Sequence, residues 1–85
     1  MNQTFKLHTE QMPASYFGYN SNEMAQVQYL DTDKGTEYIS IAVPDLHIIE
    51  TRAYNVINPA DNQLSVKRTI VDYHHREIEI IWDLM

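Results

Sequence analysis

The sequence predicts an all-β protein, a small antiparallel sheet of about five to six strands arranged as a hairpin meander or a partly closed barrel. Three observations carry this expectation. Nine isoleucines outnumber five leucines, six residues are tyrosine and only two are glycine, and such β-branched and aromatic enrichment suits pleated, half-buried surfaces. Several segments alternate apolar and polar side chains with period two. Clusters of turn-forming residues separate them, at Asp31-Thr32-Asp33-Lys34-Gly35 and Asn58-Pro59-Ala60-Asp61-Asn62.

Taken in order, Thr4–Thr9 reads as a first strand, with Phe5 and Leu7 on one face, broken by Gln11-Met12-Pro13-Ala14. Ser15–Tyr19 reads as a brief second strand ended by Asn20-Ser21-Asn22. Glu23–Gln26 has local helix propensity, so a short helix near 21–28 is an alternative there. Residues 25–43 form the clearest hairpin. With Asp31–Gly35 as a five-residue loop, Leu30 faces Thr36, Val27 meets Ile39 and Ala25 meets Ile41, all on one face.

Residues 45–57 fit two patterns. Leu46, Ile49, Ala53, Val56 and Ile57 match a helical stripe that Asp45 caps, which would make the fold α+β. Ile48, Tyr54 and Val56 match a strand face interrupted by Glu50 and Arg52, and the β-branched content favours this strand. A second hairpin then turns through Asn58–Asn62 into Leu64–Val71. The last strand, Glu77–Leu84, lines Ile78, Ile80, Trp82 and Leu84 on a face expected to be buried. Glu77, Glu79 and Asp83, with Ile81, line the other.

The 85 residues make one domain, 1–85. There is no cysteine, so disulfide and thiolate metal chemistry are excluded. Without a basic n-region or an apolar span, the chain is expected to be cytoplasmic. A net charge of −6 disfavours direct nucleic-acid or anionic-membrane binding, because both demand basic patches.

No catalytic constellation stands out. The serines lack a glycine-flanked elbow, and Gly18 and Gly35 are too far apart for a phosphate loop. His74 and His75 beside Asp72 and Glu77 offer metal-ligand chemistry, but adjacent residues on a strand point to opposite faces. No metal or cofactor is therefore expected.

Two surfaces remain as binding candidates. Tyr16 and Tyr19, flanking Phe17 and Gly18, combine apolar area with polar tips, as interface residues do. An acidic set comprises Asp72, Glu77, Glu79 and Asp83 near the end of the chain, with Asp31 and Asp33 at the first hairpin tip. Carboxylates two residues apart on a strand stand about 6.6–6.8 Å apart, a spacing that resembles successive phosphates. The profile is that of a non-enzymatic protein-binding protein, a small inhibitor or adaptor of the kind phages and mobile elements encode. Its expected partner is a protein, with a nucleic-acid-processing enzyme as the candidate that a phosphate-like row suggests. A ligand- or metal-binding domain and a structural homo-oligomer, such as a homodimer, are the alternatives.

Overall fold

The computed structural model describes residues 6–85, and the expected position of Phe5 lies outside them. Six antiparallel strands form one sheet in sequence order: β1 (Leu7–Pro13), β2 (Met24–Thr32), β3 (Gly35–Val43), β4 (Ile48–Ile57), β5 (Leu64–Asp72) and β6 (Glu77–Leu84). The all-β meander is thus present. Residues 48–57 are strand rather than helix, as their β-branched content implies.

The beginning of the chain differs from expectation in three places. β1 continues through Gln11 and Met12 to Pro13, which pairs with Met24. Proline, which has no N–H to donate, is tolerated there because among the described residues β1 is an edge strand with no outer neighbour. Residues Ala14–Phe17 form a 3₁₀ turn instead of a strand, ended by Gly18 in the left-handed region (φ 85°). The local helix preference of Glu23–Gln26 yields to pairing with β1 and β3, and β2 begins at Met24.

The β2–β3 register also departs from the expected one. The tip is a two-residue loop, Asp33-Lys34, closed by the pair Thr32 and Gly35. Thr32 Oγ1 accepts the Lys34 N–H at 3.1 Å and donates to the Gly35 carbonyl at 2.8 Å. Gly35 holds φ 124°, which an L side chain rarely adopts. This tighter turn sets Leu30 against Glu37, one residue off the expected pairing. Continued unchanged, the slip would put Val27 on the wrong face. A one-residue bulge at Ile39 shifts the register again, so Val27 meets Ile41 instead of Ile39, and the apolar match is restored. By the same shift Ala25 stands level with Val43 instead of Ile41.

Two further bulges fall at Tyr54-Asn55 of β4 and at Ile78 of β6. Asn55 takes φ 60° to form its bulge.

One face of the sheet carries the core. Ala25, Val27, Ile41 and Val43 are fully buried beneath Ala14, with Met12, Phe17, Tyr19, Tyr29, Tyr38 and Ile48 packed around them. The β1–β2 connection therefore folds back over β2 and β3 as a cover. The opposite face is polar at its centre, where Gln28, Ser40, Thr51 and Thr69 follow one another across β2 to β5. It turns apolar toward β6, where Ile80 pairs with Thr69 and Trp82 with Lys67.

β6 supplies the clearest correction. Its Ile78, Ile80 and Leu84 do not line the core; they are 56%, 36% and 72% exposed. Trp82 is half-buried beneath the Lys67 ammonium, which sits 5.5 Å from its ring centroid. Glu79 pairs with Ile70 and Ile81 with Arg68, so the charged row, not the apolar row, shares the core's side of the sheet.

Candidate functional site

The expected contact residues do not gather into one surface. Asp31 and Asp33 stand at the β2–β3 tip, separated from β6 by β4 and β5. Asp31 accepts a bond from Thr36 Oγ1 at 3.3 Å and faces His8 Nε2 at 3.4 Å. Asp72 lies at the opposite end of the sheet, where it organises the β5–β6 turn. Its Oδ1 accepts the N–H groups of His74 (2.8 Å) and Arg76 (2.9 Å), and Arg76 Nε lies 3.3 Å from Oδ2. The Arg76 N–H bond, foremost, holds the Asp72 carboxyl below its ordinary range. His75 completes the turn with φ 61°, and among the described residues no three potential metal ligands converge.

On β6, the Ile78 bulge sets Glu77 against Val71 while Glu79 meets Ile70. Val71 and Ile70 are neighbours and point to opposite faces, so Glu77 and Glu79 do so too. The i, i+2 spacing of carboxylates is therefore broken. Asp83 is partly neutralised by Arg68 Nη1 at 3.3 Å. What β6 presents is an edge: exposed Ile80 and Leu84 with half-buried Trp82 on one side, Glu79, Ile81 and Asp83 on the other, and exposed Ile78 at the bulge.

The two tyrosines part company. Tyr16 is 74% exposed, while Tyr19 turns inward and donates its hydroxyl proton to Glu50 Oε1. Glu50 is the centre of a constellation that the sequence pattern did not single out. It sits in β4 between Ile41 of β3 and Ile70 of β5, and is 0% exposed. Arg68 grips it twice, Nε to Oε2 at 2.9 Å and Nη2 to Oε1 at 3.1 Å, and Arg52 Nε reaches Oε2 at 2.5 Å. Arg52 also lies over the rings of Phe17 (5.8 Å) and Tyr38 (5.9 Å). Two guanidinium groups thus balance the carboxylates of Glu50 and Asp83 along one row.

Burial alone would raise the Glu50 pKa. The bonds from Arg68, Tyr19 and Arg52 outweigh it, and the group titrates below the ordinary carboxylate range. Tyr19 shifts upward, first from burial and then because Glu50 accepts its proton in a hydrogen bond. Every oxygen of Glu50 is occupied, and among the described residues no buried side-chain polar atom lacks a partner. The chemistry of this cluster is cross-linking: it fastens the cover to β4 and β5. The only sequence signal for it was the pair of charges, Glu50 and Arg52, interrupting an otherwise apolar strand face.

A second structural tyrosine sits where β3 and β4 part. Their pairing runs only from Ser40–Val43 to Ile48–Thr51. Beyond it, the Tyr54 hydroxyl accepts the Tyr38 N–H at 2.8 Å and donates to the Tyr38 carbonyl at 3.1 Å. The side chain replaces the missing strand. Beside it lies a hollow of about 230 Å³, lined in part by Thr32, Lys34, Glu37, Asn55 and Met85. It is smaller than the roughly 300–1,000 Å³ of typical small-molecule sites.

No family model, no curated protein and no solved structure matches this chain.

Proposed function

We propose that this is a non-enzymatic protein-binding protein, an inhibitor or adaptor, whose contact surface is β6 with its flanking carboxylates. The observation that carries this reading is the exposure of Ile80 and Leu84 in one row with Trp82 on an edge strand, with exposed Ile78 at the adjoining bulge. A contiguous apolar row beside acidic groups is the composition of an interface, with apolar centre and polar rim. The Glu50 cluster supports the reading from the other side, since its charges are engaged with one another. Tyr16, exposed on the cover, is a second contact of lesser weight.

Glu77 and Glu79 favour a partner with a basic surface, and a nucleic-acid-processing enzyme presents one. The partner meets carboxylates on both faces of an edge rather than an evenly spaced phosphate-like row. Capture from a lysate of the native host tests the reading, with the wild-type chain and an Ile80→Lys, Glu79→Lys variant as parallel baits. A single partner retained at stoichiometric amount by the wild type and lost by the folded variant is the expected result. Equal retention by both baits would remove β6 from the contact.

A further inference from the structure

Among the described residues the outer edge of β6 is unpaired, and its composition specifies what can pair with it. In an antiparallel sheet every second residue of an edge strand turns its N–H and C=O outward, a template for a further strand. The two edges of this sheet are not equivalent. β1 ends in Pro13, which has no N–H to offer, and its chain then folds back across the core. β6 contains no proline, lysine or arginine; the Ile78 bulge interrupts its first residues and carboxylates stand at Glu79 and Asp83, so the regular open edge is residues 79–84.

We propose, building on the reading of β6 as the contact surface, that it receives an extended segment of a partner protein as a seventh strand. That segment alternates apolar and basic residues. The alternation follows from the two sides of β6. A strand laid against it places alternate side chains beside Ile80, Trp82 and Leu84, where apolar residues remove exposed surface from water. The intervening side chains fall beside Glu79, Ile81 and Asp83, where lysine or arginine completes cross-strand ion pairs at the two outer positions and an arginine stem packs along Ile81 at the middle one.

The same charges disfavour a second copy of this chain. Antiparallel pairing of β6 with itself about Ile81 sets Glu79 of each copy against Asp83 of the other, and each chain carries a net charge of −6. The carboxylates thus act as a filter, repelling self-association while the backbone ladder stays open to a cationic strand.

Synthetic nine-residue peptides titrated into the full chain test this. One peptide alternates valine and arginine, a second alternates valine and glutamate, and a third is the arginine peptide N-methylated at alternate amides. Binding is read by fluorescence anisotropy and by the backbone amide shifts of the protein. The arginine peptide should perturb the amides of residues 77–84, and Glu79→Lys should weaken it about tenfold, as one or two cross-strand charge pairs would. The glutamate and N-methylated peptides should not bind detectably. Unchanged β4 and β5 amide shifts establish that Glu79→Lys is folded.

Equal binding of the N-methylated peptide, or perturbation confined to β1 or the β2–β3 tip, would overturn strand addition. So would a concentration-dependent dimer that blocks the peptide. If the host partner depends on β6 while no peptide adds to the edge, strand addition alone fails. If no partner depends on β6, the functional reading fails first.

Discussion

Removing the Glu50 carboxylate should be among the most destabilising single changes in this protein. Glu50→Ala deletes the acceptor of Tyr19, Arg52 and Arg68 together and leaves two guanidinium groups with one remaining carboxylate, Asp83. Breaking a buried ion pair by removing one partner costs about 3–5 kcal/mol. Here the side chains of Arg52 and Arg68 keep 18% and 16% exposure, so water recovers part of that, and about 3 kcal/mol is expected. A chain of this length has a total stability of about 4–13 kcal/mol, so the variant stands near the edge of folding. The corresponding fall in Tm is about 12–24 °C.

Urea unfolding at pH 7 measures the difference directly. Glu50→Gln keeps the shape and one acceptor but loses the charge, and should cost less. The pH dependence gives a second check. Glu50 has a folded pKa below its ordinary value of 4.5, so its contribution is full above about pH 4.5. It is lost as pH falls through the depressed folded value. The gap between wild type and Glu50→Gln should stay constant from pH 7 to pH 5 and close in more acidic solution. A Glu50→Ala variant within about 0.5 kcal/mol of wild type, the scatter of ordinary surface changes, would refute the cross-linking role.

Two further predictions concern tyrosines. Tyr54→Phe strips the Tyr38 N–H and C=O of their partner and should cost about 1–3 kcal/mol, read by urea unfolding, with faster hydrogen exchange at the Tyr38 amide. Tyr19→Phe removes one of four bonds to Glu50 and should cost about 1 kcal/mol at pH 7. Because the Tyr19 pKa is raised from 10.0, that advantage is full below about pH 10 and is lost as pH climbs toward the raised value. Unfolding free energies of the two proteins should therefore converge only in strongly alkaline solution.

The sheet was legible in the sequence because period-two alternation and turn residues act locally. Leu64–Val71 and Glu77–Leu84 were read with bounds within one residue of β5 and β6. What alternation does not encode is which side of a strand another segment covers. Alternation separates Ile80, Trp82 and Leu84 from Glu79 and Asp83 but assigns them to the buried side, and it groups Glu77 with Glu79, which the Ile78 bulge parts. The cover comes from Ala14–Tyr19, far away in sequence, and it lies on the side of Val27 and Ile41.

The bulges were hidden for a related reason. Ile39 shows no local signal, and its insertion corrects a register set at the Asp33-Lys34 turn. In the alternation pattern Glu50 is only an interruption, because local periodicity carries no trace of partners distant in the chain. Its partners Tyr19 and Arg68 lie 31 and 18 positions away.

The claim that β6 is the contact surface is tested most directly by amide hydrogen exchange of the free chain and of its complex with the captured host partner. New protection should concentrate in residues 77–84, with β1 and the Asp33–Lys34 tip unchanged. Protection centred on Tyr16, or on the β2–β3 tip, with β6 exchanging as in the free chain, would contradict it.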